Sequence, residues 1–408
     1  MTMQYKLYCL FYILIFSQPS ILHARQPYHA TVSVEGFHKT VSAPNLVDLK
    51  RELQTPHIQK FIPLYTPRLS TSLEFNLRGI KAFALFPADS SALIVQIPQI
   101  GTKKIFTGAT RDDSLTLFKD YIRDGGDHHK LFKAYARYSP IDPIAGNPNS
   151  LQSQMAQADY EIGILNPMSG CECDWNSQPT VHQYQVGVSA GRAFTKGFDT
   201  TVVTFPLRYS FSPDLNRAFI IDAPISYLRN GGASSVVGSL GFGFRFPIQT
   251  SWSLTPMLRM GAGGSLDLCT AGSFASIGLT SVYNYKIQRY ILSMTNYVGY
   301  FTTTNLWLTG VNFTYHLHNY IYKNGLSFRT CRGWRMGTRN VNFNVTFEDT
   351  YIARDHLFIR HYEEIGLSLT SDCLIPYWND DCLSLKFSYQ FGRKDYRGYF
   401  FNSTYQLS

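Results

Sequence analysis

After Ala24 the 408-residue chain has no uninterrupted apolar run of the length a transmembrane helix needs, although 44% of its residues are hydrophobic. Crossing a bilayer as a helix takes about 20 consecutive apolar residues, so the composition argues against a helical membrane protein. Charge is also scarce, at 16%, and Lys and Arg nowhere gather into a block. The net charge of +9 therefore marks no nucleic-acid patch, and no nucleic-acid partner is expected. Enzyme signatures are missing as well. There is no Gly-x-Ser-x-Gly elbow, no His-Glu-x-x-His and no phosphate-binding Gly-x-x-x-x-Gly-Lys run. Gly238-Ser239-Leu240-Gly241 lacks the spacing of a nucleophile elbow. No catalytic residue, metal or cofactor is expected.

Cysteine is sparse, with seven in the chain. Cys9 lies in the N-terminal apolar run, which leaves Cys171, Cys173, Cys269, Cys331, Cys373 and Cys382. Cys171-Glu172-Cys173 has no second pair at metal spacing, so it is not read as a metal site. Cys373 and Cys382 flank one inferred turn closely enough to be joined, as an oxidising compartment permits.

The first residues do carry a signal. Met1 to Lys6 bear one positive charge, Leu7 to Phe16 are apolar, and a polar stretch ends at Leu22-His23-Ala24. This is the layout of a secretory signal peptide cleaved after Ala24, and it predicts export.

From His182 onward the chain is dominated by segments in which every second residue is apolar or aromatic. Thr201, Val203, Phe205, Leu207, Tyr209 and Phe211 form one set, and Leu383, Leu385, Phe387, Tyr389 and Phe391 another. A period of two places each set on one face of a strand, with Ser384, Lys386, Ser388 and Gln390 on the other. Strands of about nine to eleven residues with aromatic ends, such as Tyr283 with Tyr285 or Tyr297 with Tyr300 and Phe301, suit a bilayer crossing better than a sandwich core. The fold class expected is mainly β: an antiparallel transmembrane β-barrel behind a small α+β domain.

Strands are expected near 181–190, 201–211, 218–228, 235–247, 250–262, 273–286, 289–302, 319–331, 340–351, 357–370, 382–392 and 397–407. Leu306 to Tyr315 is assigned to a loop, because bacterial single-chain barrels have even strand numbers. With both barrel ends in the periplasm, Pro213 to Asn216 and Lys286 to Arg289 become inner turns, and Gly261 to Gly272 and Thr302 to His318 outer loops.

Residues 25–161 read as the α+β domain. Strand-like pieces at Leu69 to Leu77, Ile80 to Phe86 and Leu93 to Ile97 precede a helix started by Thr110-Arg111-Asp112-Asp113 and stopped by Gly125-Gly126. A second helix begins at Asp127 and ends before Ser139-Pro140. The proline-rich stretch 139–150 is a stiff connector, followed by a short helix over Leu151 to Ala158. The barrel domain is drawn from 162 to 408. His128-His129 with Asp124 and Asp127 read as a solvated helix face, since adjacent helical residues point apart.

Alternation also assigns the lumen. Arg208, Arg245, Arg259, Lys286, Lys323, Arg329, Arg360 and Lys386 are expected to point inward against Asp222, Glu348 and Glu364. Such a surplus of bases concentrates anions, unless the charges pair and fill a closed bore. His316, His318, His356 and His361 have no serine tied to them by spacing and read as interfacial side chains.

The order of signal, small domain, aromatic-rich alternating strands and a strand at the chain end resembles that of Gram-negative outer-membrane β-barrel proteins, porins and autotransporter translocators among them. The resemblance covers residues 162–408 and is one of architecture. It implies outer-membrane lipid as the surroundings and a barrel-assembly machinery that recognises the last strand through Tyr399, Phe401, Tyr405 and Leu407. The chain departs from that pattern by ending in Ser408, and Ser403 interrupts the outward face. Gly108 to Asp113 together with Ser139 to Ser150 also resembles conserved-hypothetical exported proteins, which carry no assigned activity. The function expected first is a channel for small anionic solutes, with residues 25–161 a periplasmic domain that plugs or gates it or contacts the cell wall. The rival is a translocator that presents this domain at the cell surface, and the third reading is a structural or adhesive barrel. Leu151 to Ala158, at about 1.5 Å per residue, is too short to cross a barrel and counts against the rival.

Overall fold

The computed structural model describes residues 25–124, 128–164, 182–214, 217–308, 311–330, 334–336, 339–372 and 382–407. The signal segment, the Gly125-Gly126 stop, the Asp127 start, Cys171 to Cys173, the Cys373–Cys382 link and Ser408 lie outside them.

The N-terminal domain is a six-stranded antiparallel sheet of order β2-β1-β3-β4-β5-β6. Its strands are β1 (Tyr28–Val34), β2 (Phe37–Ala43), β3 (Thr71–Leu77), β4 (Ile80–Phe86), β5 (Leu93–Ile97) and β6 (Thr102–Phe106). Two short helices, α1 (Leu46–Glu52) and α2 (Thr55–Phe61), follow β2, and α3 (Arg111–Asp124) and α4 (His128–Tyr138) follow β6. Alternation makes one sheet face apolar: Tyr28, Ala30, Val32, Leu73, Phe75, Leu77, Ile80 and Ala82 are buried. Leu115, Phe118 and Ile122 of α3 and Phe132 and Tyr135 of α4 share the same core, and Phe118 packs on Phe75 at 5.3 Å between ring centres. Thr110 and Asp113 cap α3 reciprocally: the Thr110 amide donates to Asp113 Oδ2 at 2.9 Å and the Asp113 amide to Thr110 Oγ1 at 3.2 Å, as a capping box requires. The β3–β4 turn is Arg78-Gly79, both left-handed at φ 55° and 100°. A Cβ on Gly79 would stand 2.4 Å from the Tyr138 carbonyl oxygen, so only glycine lets this turn meet the end of α4.

The C-terminal part is a closed antiparallel barrel of 12 strands. Around the wall run β7 (His182–Thr195), β8 (Phe198–Phe205) continued by β9 (Leu207–Asp214), β10 (Arg217–Asp222) continued by β11 (Ile225–Asn230), β12 (Ala233–Gln249), β13 (Trp252–Ser265), β14 (Thr270–Ile287) and β15 (Tyr290–Thr304). A small hairpin, β16 (Leu306–Leu308) with β17 (Val311–Phe313), sits in the next loop. The wall resumes with β18 (His318–Thr330), and the short β19 (Trp334–Met336) pairs only with β20 (Arg339–Arg354). Then come β21 (His361–Asp372), β22 (Cys382–Gly392) and β23 (Tyr396–Leu407), and β23 pairs β7 to close the cylinder.

The side-chain period is what gives the wall two solvents. Leu258 and Met260 are 59% and 65% exposed, whereas Met257 and Arg259 between and beside them are at 1% and 2%. The outer surface is an apolar band that includes Phe242, Ile277, Val345, Ile365 and Phe387. Aromatic pairs border it at both ends, Tyr184–Tyr209 and Phe219–Phe244 at one, Tyr300–Tyr320 and Tyr389–Tyr399 at the other. An apolar band between aromatic girdles is the outer surface of a membrane-spanning barrel. Two residues read as girdle are not: Tyr297 and Phe301 are 3% and 0% exposed, because with Tyr300 outward their odd-numbered positions face the lumen.

β7 and β23 run antiparallel from Phe194↔Arg397 to Tyr184↔Leu407. The start of β7 and the finish of β23 therefore share one end of the barrel. The α+β domain sits on the other end. The Arg25 amide donates to the Gly197 carbonyl at 3.1 Å, and the Phe358 and Ile359 amides donate to Ala136 and Gly146 at 2.9 and 2.8 Å. Lys133 of α4 meets Asp355 at 3.0 Å. This docking explains why β21 begins at His361 and not at 357, since the backbone before it is engaged by the domain.

Candidate functional site

The connector 139–150 turns into the barrel mouth, and all 12 of its residues are buried. Asp142 organises it. Its Oδ1 accepts from the Ile144 and Ala145 amides at 2.9 and 3.1 Å, and the Tyr315 hydroxyl donates to Oδ2 at 3.0 Å. Arg78 lies 3.9 Å away, fully buried, with its guanidinium 3.4 Å from the Tyr135 ring centre. Burial pushes the Asp142 carboxyl above its ordinary range, against the opposing pull of Arg78 and these donors. Gly146 has φ 99°, and a Cβ there would stand 2.2 Å from the Ala136 carbonyl oxygen.

Helix α5 (Leu151–Ile164) follows, and it stands inside the barrel against β12, β13, β14 and β15. It is six residues longer than expected, because Asp159 to Ile164 continue the helix. Its length is about 21 Å at about 1.5 Å per residue, most of the about 25 Å apolar height of a membrane barrel. Gln152, Ser153 and Asp159 are buried along with Leu151, Met155 and Tyr160. A helix that is polar in part on every side has no apolar core to seek; here it meets a polar wall. The boundary drawn at 162 therefore cuts through this helix.

Asp159 is the principal contact. Arg259 Nε donates to its Oδ1 at 2.6 Å, and the Tyr297 hydroxyl donates to its Oδ2 at 3.2 Å. Arg259 also donates to Asp222 at 2.8 Å, and Arg208 donates to the other oxygen of Asp222 at 2.9 Å. On the far side Lys323 lies 3.3 Å from Glu348 and bonds to Gln157 of α5. Lys386 lies 3.4 Å from Glu348 and 2.7 Å from Glu364. The Ser226 hydroxyl donates to Gln154 at 2.6 Å, and Asn319 reaches Gln152 at 3.4 Å.

Alternation thus brings together Arg208, Arg259, Lys323 and Lys386 with Asp222, Glu348 and Glu364 in the lumen. It omits Asp159 and Glu161, which arrive on α5, and with Asp159 the central network has four bases and four acids. That network is thereby balanced in charge. Arg245 is also inward and buried, with Nη1 unpaired among the described residues, and Arg329 is inward and half-buried near the end of β18. Two expected lumen bases are elsewhere. Lys286 is exposed at the β14–β15 mouth. Arg360 lies in the loop before β21, donating to the Tyr351 hydroxyl at 2.9 Å.

Twelve strands about 4.8 Å apart and tilted about 40° enclose a backbone cylinder about 24 Å across. A helix about 10–12 Å wide cannot fill it. Between α5 and the wall formed by β7–β10 and β20–β23 a cavity of about 330 Å³ remains. Ser189, Thr204, Thr346, Ser384, Ser388, Asn402 and Thr404 line it beside Arg208, Lys386, Glu161, Glu348 and Glu364.

Among the described residues, His316, His318, His356 and His361 each meet a partner other than serine. His318 bonds to Thr302 at 3.0 Å, His356 contacts Arg360, and His361 meets Asp349 at 2.6 Å. His316 packs edge-on against His129. Asp349, His361 and Glu363 bring three ligand-type atoms within 4.8 Å of one another on the outer face, a grouping that the ion pair accounts for.

These features define a class: a membrane-spanning β-barrel whose lumen is threaded by the helix joining it to a domain on its mouth. No protein-family profile and no curated protein matches the chain. Among solved structures it is similar to the β domain of the Bordetella autotransporter BrkA, at 13% identity over 56% of this chain and 100% of that one, TM-score 0.43. It is similar to the translocator domain of the autotransporter NalP from Neisseria meningitidis, at 10% identity over 63% and 95%, TM-score 0.41. An outer membrane channel from Pseudomonas putida F1 gives 12% identity over 58% and 98%, TM-score 0.40. The barrel assignment rests on the strand pairing above, not on these likenesses.

Proposed function

We propose that this is a Gram-negative outer-membrane barrel of translocator type, which displays its α+β domain at the cell surface and is closed in the resting state by α5. The observation that carries this reading is the path of the chain. It leaves the domain at one barrel end, descends through the lumen as α5, and reaches the wall at the end where β7 starts and β23 finishes. With those strand ends in the periplasm, the domain lies outside. A periplasmic position for residues 25–161 would need the barrel inverted.

An epitope inserted between Thr66 and Pro67, in an exposed loop of the domain, is expected to bind antibody on intact cells. One inserted between Gln288 and Arg289, in the turn at the other end, is expected to bind only after lysis. The reverse pattern would sink the surface assignment.

The cavity beside α5 favours a second reading, a channel for small solutes that opens when the helix moves. With α5 seated, the charges around the cavity are mixed, and anion preference has no basis. With α5 gone, Arg208, Arg245, Arg259, Lys323, Arg329 and Lys386 face Asp222, Glu348 and Glu364, and the anionic preference follows.

A further inference from the structure

We propose that the seam between domain and barrel holds a binding site for a phosphate group, formed by Lys196 and Lys394 over the Phe358 ring, with Arg137, next to the Ala136 carbonyl that holds Phe358, as the third cation. The three cations come from three separate segments. Lys196 is in the β7–β8 turn, Lys394 in the β22–β23 turn, and Arg137 in the last turn of α4. The two ammonium groups converge on one ring, with Lys394 Nζ 3.9 Å and Lys196 Nζ 5.8 Å from the Phe358 centroid. Phe358 itself is fixed to the domain through its amide, which donates to the Ala136 carbonyl at 2.9 Å.

Among the described residues none of the three cations makes a salt bridge. The acids in reach by sequence are committed elsewhere, Asp199 to Arg192 and Asp355 to Lys133. Asp395, next in the turn, pairs with none of them. Cation–π contact with the ring favours each ammonium, without removing the repulsion among three like charges. Partial burial, and after it the charges of Lys196 and Arg137, hold the Lys394 ammonium pKa below its ordinary value. Both lysines sit at left-handed turn positions, φ 47° and 63°, so the turns fix where their stems begin.

A doubly charged oxyanion supplies what the group lacks. Its oxygens accept charge-assisted hydrogen bonds from ammonium and guanidinium donors at once, and repulsion between domain and rim becomes attraction through a shared ligand. The shared chemistry is a phosphate monoester or inorganic phosphate, from a lipid headgroup or from solution. The site does not depend on which side of the membrane holds the domain.

The test titrates the full chain in zwitterionic detergent with inorganic phosphate by calorimetry. In parallel, ³¹P NMR follows the protein in phosphatidylcholine nanodiscs with and without a phosphorylated glycolipid. Saturable binding is expected in at least one arm. It should fall about tenfold or more, a change of about 1.4 kcal/mol, in the Lys196→Gln, Lys394→Gln double variant, and also in Arg137→Gln from the domain side. Lys39→Gln with Lys60→Gln removes the same charge away from the seam and should leave binding unchanged. Binding of free phosphate makes the soluble ion a sufficient ligand; binding confined to glycolipid discs assigns the headgroup. Absence of saturable binding in both arms, or equal loss in the control variant, overturns the site.

Discussion

Arg259 donates to two carboxylates from two different parts of the chain, Asp159 on the helix and Asp222 on the wall. Removing one partner of a buried ion pair typically costs about 3–5 kcal/mol, because the other charge is stranded. Because Arg259 keeps its bond to Asp222, Asp159→Ala is expected to loosen α5 from β13 by less, about 1.5–3 kcal/mol for a lost hydrogen bond to a charged group, read as a lower unfolding midpoint and as leak current through an intact barrel. Replacing both residues, as in Asp159→Leu with Arg259→Met, should recover most of the loss. Equal loss in single and double variants would show that the pair does not hold the helix. A second residue-scale prediction concerns Asp355, which joins the domain to the rim. Burial alone would raise its carboxyl, but the His318 amide and the Lys133 ammonium outweigh burial and hold it below the ordinary carboxylate range. A depressed carboxyl stabilises the docked form above the unfolded pKa, and that contribution is lost as pH falls from there through the folded value. Hydrogen exchange in α4 should thus quicken below about pH 4 in the wild type and change less in Asp355→Asn.

Elements were legible in the sequence where a period was strict. Each of the 12 barrel strands follows its alternation, since lipid outside and polar lumen inside leave a two-residue repeat no freedom. The start of α3 was visible in Thr110 and Asp113 because a cap is a local device. β1 carries the same alternation as β3, Tyr28, Ala30, Val32 and Val34 against His29, Thr31 and Ser33, and was as legible as that strand. The C-terminal half of α5 was not legible. Tyr160-Glu161-Ile162-Gly163-Ile164 has no helical stripe, because its partner is the polar wall of the barrel. The same blindness spoiled the lumen charge: strand parity finds Arg259 and Lys323, but nothing in it reports that Asp159 stands opposite. Gly163 shows how close the fit is, for a Cβ there would lie 2.2 Å from Thr280 Cγ2. Gly163→Val is expected to push α5 towards the open cavity while the barrel stays folded, seen as loss of a spin-label contact between α5 and β14.

At the scale of the molecule, the full-length protein in planar bilayers should be nearly silent, and a form beginning at residue 165 should conduct with a preference for anions. Steady current from the full-length protein would mean that the cavity beside α5 is already a continuous passage. Cation preference in the shortened form would remove the argument from pore charge.

The threaded helix also acts as a mechanical fastening. A folded domain over 28–138 has a radius of gyration of about 13 Å and is therefore about 34 Å across, wider than the cylinder of about 24 Å that α5 already half fills, so it cannot be drawn back through the barrel. In the other direction the helix is tethered by the chain leading to β7. Neither part can retract while both are folded. The domain segment must therefore pass the wall as an unfolded chain, or the wall must close around it afterwards, and the order of folding is built into the topology of the product.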